Sequence, residues 1–184
     1  MKILVVNNHS KHIEELLNKL NEVDSITINF EDLKYKDYDD YDAIILSGGS
    51  SFSVIDHKKE YSKELKLIKN CKQPILGICL GFELINFAFG EKLEKLEESA
   101  NGSIPIKLIF KDPLFDSLPK EFNVYEAHRW VVTKNKNLIA LAESKYGIEA
   151  VKHPEKKIYG VQFHPEVFVE KNHAEKILRN FLNI

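Results

Sequence analysis

A cysteine, a histidine and a glutamate stand where the chain could use them together. Cys79 lies in Gly77-Ile78-Cys79-Leu80-Gly81, where an apolar run stops at the thiol and helical spacing begins at once. A sharp strand-to-helix turn of this kind strains the backbone at a nucleophile and lifts its side chain above the sheet. The helix N-terminus favours an anion there and leaves a free N–H for a developing oxyanion. A lone cysteine in such a place is more commonly a small apolar plug, so Cys79 needs a base to be catalytic. His164 follows the apolar run Tyr159-Gly160-Val161-Gln162-Phe163, and Glu166 comes two residues later with Pro165 holding the turn. An imidazole that accepts and returns a proton, oriented by a carboxylate, completes a thiol-based acyl-transfer set. A third segment, Ser47-Gly48-Gly49-Ser50-Ser51, is a glycine turn that can aim backbone N–H groups into a site.

These segments need a scaffold that brings strand ends together. Strand-like runs at 3–6, 25–30, 43–46 and 74–78 alternate with helical spacing through Ile13, Leu16, Leu17 and Leu20, through Tyr61, Leu65 and Ile68, and through Leu80, Leu84, Ile85 and Ala88. Alternation of this kind predicts a parallel sheet covered by helices on both faces. Beyond it, strand-like runs at 104–110, 122–125, 138–142, 148–151 and 158–163 precede a last helix carrying Ala174, Ile177, Leu178 and Phe181. The expected class is α/β: a mostly parallel central sheet flanked by helices, with additional β-structure in the second half.

The bulk properties narrow the function. The 184 residues suit a single domain over 1–184, with 43% hydrophobic and 29% charged residues, an ordinary globular composition. A formal charge of -2 and the lack of a basic stripe argue against nucleic acid as a partner. The apolar runs are too short to span a membrane, and the strand-like start after Met1 lacks the features of a secretory leader, so a cytoplasmic location is expected. Cys71 and Cys79 flank one strand and form neither a disulfide pair nor a metal-ligand pattern. No phosphate-binding glycine loop is present, and neither metal nor cofactor is expected.

Together the three segments resemble the class I glutamine amidotransferases, and the resemblance runs from the first strand to the last helix. The family's Gly-x-Cys-x-Gly motif is matched by Gly77 to Gly81, its His-Pro-Glu by His164-Pro165-Glu166, and its oxyanion loop by Ser47-Gly48-Gly49. The resemblance implies a flavodoxin-like fold, with Cys79 attacking the side-chain amide of L-glutamine. His164 would then move protons, Glu166 would orient it, and the N–H groups of Gly49 and Leu80 would hold the oxyanion. Gly48, Glu83, Arg129 and Trp130 fall at substrate-contact positions.

Two departures stand out. Where the family carries a glutamine after the cysteine motif, this chain has Glu83, which reads as an acceptor-only carboxylate unless it is a surface helix residue. Around His128, Arg129 and Trp130 are bulkier than the residues often found there, and Trp130 reads equally as core packing. The chain has no room for a synthetase of its own, so a separate ATP-using synthetase subunit is the expected partner. The arrangement is most like glutaminase subunits of two-subunit GMP synthases. Anthranilate and aminodeoxychorismate synthase subunits share the segment 160–166, and an independent γ-glutamyl hydrolase or a non-catalytic binding subunit stays open.

Overall fold

Ile3 and Val5 face one hydrophobic cluster while Leu4 and Val6 face another, and all four are fully buried. That period of two is what a strand covered on both faces imposes. Burial of each such side chain contributes about 1.5–3 kcal/mol. A computed structural model describes residues 1–34, 38–49, 53–169 and 174–184, so Ser50 and Ser51 of the glycine turn lie outside the described residues.

In chain order the elements are β1 (Lys2–Asn7), α1 (Ile13–Lys19), β2 (Asp24–Asn29), β3 (Ala43–Leu46), α2 (Ser62–Asn70), β4 (Ile75–Ile78) and α3 (Leu80–Ala88). There follow β5 (Glu94–Leu108), β6 (Glu121–Val131), β7 (Ile139–Ser144), β8 (Gly147–Lys152), β9 (Ile158–Val161) and α4 (Glu175–Leu182). Strand order is β2-β1-β3-β4-β9-β8-β7-β5-β6. The run from β2 to β9 is parallel, and the pairs beyond β9 are antiparallel. Leu16 of α1 and Ile177 and Phe181 of α4 cover one face, and Leu67 and Ile68 of α2 with Leu84 and Ile85 of α3 cover the other. The expected α/β class is the observed one. Among the described residues no helix is long and apolar enough to cross a membrane.

The second half departs in extent from the sequence reading. The strand expected at 104–110 is β5, which begins at Glu94, and the one expected at 122–125 is β6, which runs to Val131. β5 pairs with β7 only through Lys107 and Leu108, so most of the β5–β6 hairpin extends beyond the β7 pairing. Its far strand returns to the site, where the His164 N–H donates to the Tyr125 carbonyl at 2.9 Å.

Candidate active site

β4 ends at Ile78 and α3 begins at Leu80, leaving Cys79 alone in the turn at φ 50 and ψ -100. A positive φ is costly for a residue with a Cβ and is kept only where surrounding structure over-determines it. The restraint is visible: the Cys79 N–H donates to the Val161 carbonyl at 2.8 Å, and its carbonyl accepts from Glu83 N–H at 3.0 Å. The tight turn also needs glycine on both sides. A Cβ on Gly77 would collide with the Gly81 backbone, and one on Gly81 with the Leu46 carbonyl. Leu80 is the first residue of α3, so its N–H has no partner within the helix.

β9 carries the chain to His164 and Glu166, both buried. His164 Nδ1 lies 2.8 Å from Glu166 Oε1, which leaves Nε2 as the nitrogen that meets the Cys79 thiol. Burial alone would push His164 down, but its neighbours Cys79 and Glu166 outweigh it and hold the imidazole well above its ordinary range. An imidazolium beside a thiolate is the state from which a cysteine attacks an amide and its partner protonates the leaving nitrogen.

A cavity of about 550 Å³ opens above the thiol, lined among others by Cys79, Gly49, Leu80, Glu83, Arg129 and Trp130. Gly48 lies beneath it against His164 and Cys79. The side chain of Arg129 is turned to β5, donating to the carbonyls of Leu96 at 3.2 Å and Glu97 at 2.9 Å. Trp130 is half-buried against the core while one side faces the cavity, so packing and pocket wall are the same residue's work.

Glu83 corrects the sequence reading. It is buried, which removes the surface-residue alternative. Burial pushes its carboxyl up to about 8, with the nearby Gln162 amide offsetting part of the effect. At neutral pH it is therefore a neutral acid offering one O–H donor and one acceptor, closer to a glutamine amide than to a carboxylate.

Sequence reasoning passed over His12 and Tyr125. The His12 ring lies 5.0 Å from that of His164, edge to face, and Tyr125 is 6.2 Å from it. Both line the cavity. His12 precedes an ordinary amphipathic helix, and Tyr125 alternates in a strand, so neither carries a local signal. A second network also escaped notice. Asn8 N–H donates to Ser47 Oγ at 2.9 Å, and Asn8 Nδ2 donates to the Ser47 carbonyl and to Glu64 Oε1. It braces the glycine turn from below. Glu64 is fully buried, and burial pushes it up to about 8.

The family model for glutamine amidotransferase class-I matches residues 4–184, and the chain belongs to that family. Among individual relatives, a subunit of glutamine-hydrolysing GMP synthase from Methanococcus vannielii is 34% identical, over 99% of this chain and 96% of that one. A Haemophilus influenzae protein provisionally named anthranilate synthase component II is also 34% identical, over 100% of this chain and 97% of its own length. The crystal structure of a Thermoplasma acidophilum protein, provisionally named as one of the subunits of GMP synthase, superimposes with TM-score 0.89 at 28% identity, covering 100% of this chain and 92% of that one.

Proposed function

We propose that this chain is the glutaminase subunit of a two-subunit amidotransferase, and that its ammonia goes to a separate ATP-using synthetase in GMP synthesis. The observation that carries the glutaminase reading is Cys79 at positive φ on the N-terminus of α3, meeting an imidazole that Glu166 holds at 2.8 Å. In this reading the Cys79 thiolate adds to the amide carbon of glutamine, and the oxyanion falls between the N–H groups of Gly49 and Leu80. His164 gives its proton to the nitrogen, ammonia leaves, and a γ-glutamyl thioester remains. Neutral His164 then takes a proton from water, the hydroxide adds to the thioester, and collapse frees glutamate and restores thiolate and imidazolium. Loss of one oxyanion donor typically costs about 3 kcal/mol of barrier.

The GMP pathway rests on relatives named as subunits of glutamine-hydrolysing GMP synthase, such as that of Methanococcus vannielii. The Haemophilus influenzae relative supports a second reading, supply of an anthranilate-forming synthetase, at the same identity. Ammonia release from glutamine, measured alone and with GMP-forming and anthranilate-forming synthetase subunits, separates the two. The expected result is a weak activity that the GMP-forming partner raises. Stimulation by the anthranilate-forming partner instead would reassign the pathway, and full activity unaltered by either would make the chain an independent hydrolase.

A further inference from the structure

Behind the cavity wall, three titratable side chains that the proposed reaction does not use converge from two strands. Glu126 and His128 come from β6 and Glu149 from β8, and their nearest ligand atoms all lie within 4.8 Å of one another. All three are buried, with Glu126 and Glu149 at 0% and 1% exposure. His128 Nδ1 lies 3.0 Å from the Trp130 carbonyl, which can only accept, so Nδ1 carries the proton. Nε2 is thereby turned to Glu126, 3.1 Å from its Oε2. Ser144 Oγ donates to Glu149 Oε1 at 2.6 Å. No protein donor reaches Glu126 Oε1 or Glu149 Oε2. Among the described residues no lysine or arginine pairs with either carboxylate.

Two carboxyl groups buried side by side are costly to ionise, and only the His128 imidazole and the Ser144 hydroxyl stand beside them to offset the lost solvation. One oxygen of each carboxyl and one imidazole nitrogen lie within 4.8 Å of one another, and the imidazole's Nδ1 is anchored to a backbone carbonyl. That anchoring is how a metal-bound histidine is oriented. Ligands about 2.0–2.2 Å from a zinc-like ion stand about 3–3.5 Å apart, and the Nε2 to Oε2 separation of 3.1 Å falls in that range. Two carboxylates with one neutral imidazole cancel the charge of a divalent ion. The imidazole favours zinc or a neighbouring transition metal over magnesium or calcium, which prefer oxygen throughout.

We propose that Glu126, His128 and Glu149 form a binding site for a divalent transition-metal ion, zinc foremost, which ties β6 to β8 behind the wall that carries Arg129 and Trp130. His128 borders the cavity, with its side chain buried on the ligand side. The site is independent of the catalytic reading, and the wall it braces is that of the glutamine pocket. Sequence reading found no metal pattern because the ligands are split between strands that are far apart along the chain.

The test uses the full chain, stripped with chelator and titrated with Zn²⁺ and with Co²⁺ as a spectroscopic probe. Expected is uptake of about one equivalent, a Co²⁺ d–d spectrum of a nitrogen–oxygen site, and a rise in melting temperature. Affinity should fall about tenfold or more in Glu149→Gln and further in the Glu126→Gln, Glu149→Gln pair. Anomalous scattering from a metal-soaked crystal of the unaltered protein should place the ion against His128 Nε2, which keeps the test decisive if a variant does not fold. Failure to bind metal, binding unchanged in the variants, or an ion located elsewhere would each overturn the site, and the cluster would then hold a proton instead.

Discussion

Gly48 lies so close to His164 that a Cβ added to it would stand 2.8 Å from Cε1 of the imidazole. The ring cannot retreat freely, because Nδ1 is held by Glu166 and the His164 N–H by the Tyr125 carbonyl. Gly48→Ala should therefore displace the base while leaving the fold in place. The expected outcome is a fall in kcat of about a hundredfold, since a misplacement near 1 Å costs about that much, with little change in KM. Steady-state glutaminase kinetics beside a thermal melt check it, and unaltered kcat would mean that the imidazole is not set by this contact.

His164→Ala should lower turnover by about three orders of magnitude or more, and Glu166→Gln by less, because supplying a base matters more than orienting it. The pH profile distinguishes the roles. Glu166 helps to hold His164 above its ordinary range. Without that carboxylate the imidazolium is lost at lower pH, so the alkaline limb of kcat/KM should move down in Glu166→Gln. A profile that does not move would remove Glu166 from its proposed role.

Glu83→Gln should behave differently at different pH. The folded value near 8 lies above the ordinary 4.5, so the side chain stays protonated through neutrality and ionises only as pH passes 8. Near pH 6.5 the variant and the parent should agree in kcat/KM for glutamine within about threefold. By pH 9 the variant should lead by about tenfold, the equivalent of about 1.4 kcal/mol lost to an ionised, donor-free neighbour. The ratio of the two proteins cancels any titration that they share. A constant ratio across this range would mean that Glu83 does not meet the substrate.

Glu64 makes the same argument for stability. Its folded value of about 8 lies above the ordinary 4.5, so the folded chain binds more protons than the unfolded chain between those limits. Stability is therefore lost as pH rises from about 4.5 toward 8, and the penalty is complete above that window. Glu64→Gln removes the slope and keeps an acceptor for Asn8. Urea unfolding at pH 5 and pH 9 should show the variant gaining on the parent with pH, by an amount on the order of a few kcal/mol. A gap that narrows with pH would show that the group is ionised in the folded state.

Much of this was readable from local pattern. The strand at Ala43–Leu46 is apolar at every position and has the bounds its composition demands, and Cys79 sits at the strand–helix junction that its flanking glycines call for. The first half of β5 could not be found in that way. Between Glu94 and Ser103 most side chains are polar and exposed on both faces, so the strand shows no alternation and is held by pairing with β6. Glu83 misled for a related reason. Its charge is a property of burial, and burial comes in part from β9 and the Gln162 that follows it, a contact remote in sequence. The cluster of Glu126, His128 and Glu149, and the ring of His12 beside His164, are likewise products of the fold alone.

The claim on which the account depends is that Cys79 is the nucleophile, and the chain contains its own control. Cys71 is a second buried thiol, pushed up by burial and placed 2.9 Å from Gln73 Oε1, at the end of α2 and away from the cavity. Cys79 borders the cavity and meets His164. A diazoketone or chloroketone analogue of glutamine should bind as substrate and alkylate the attacking thiol. Peptide mapping by mass spectrometry after limited labelling should find one equivalent on Cys79 and none on Cys71, with glutamine protecting and glutaminase activity lost in proportion. Label on Cys71 with Cys79 spared, or complete labelling of Cys79 with activity retained, would contradict the assignment.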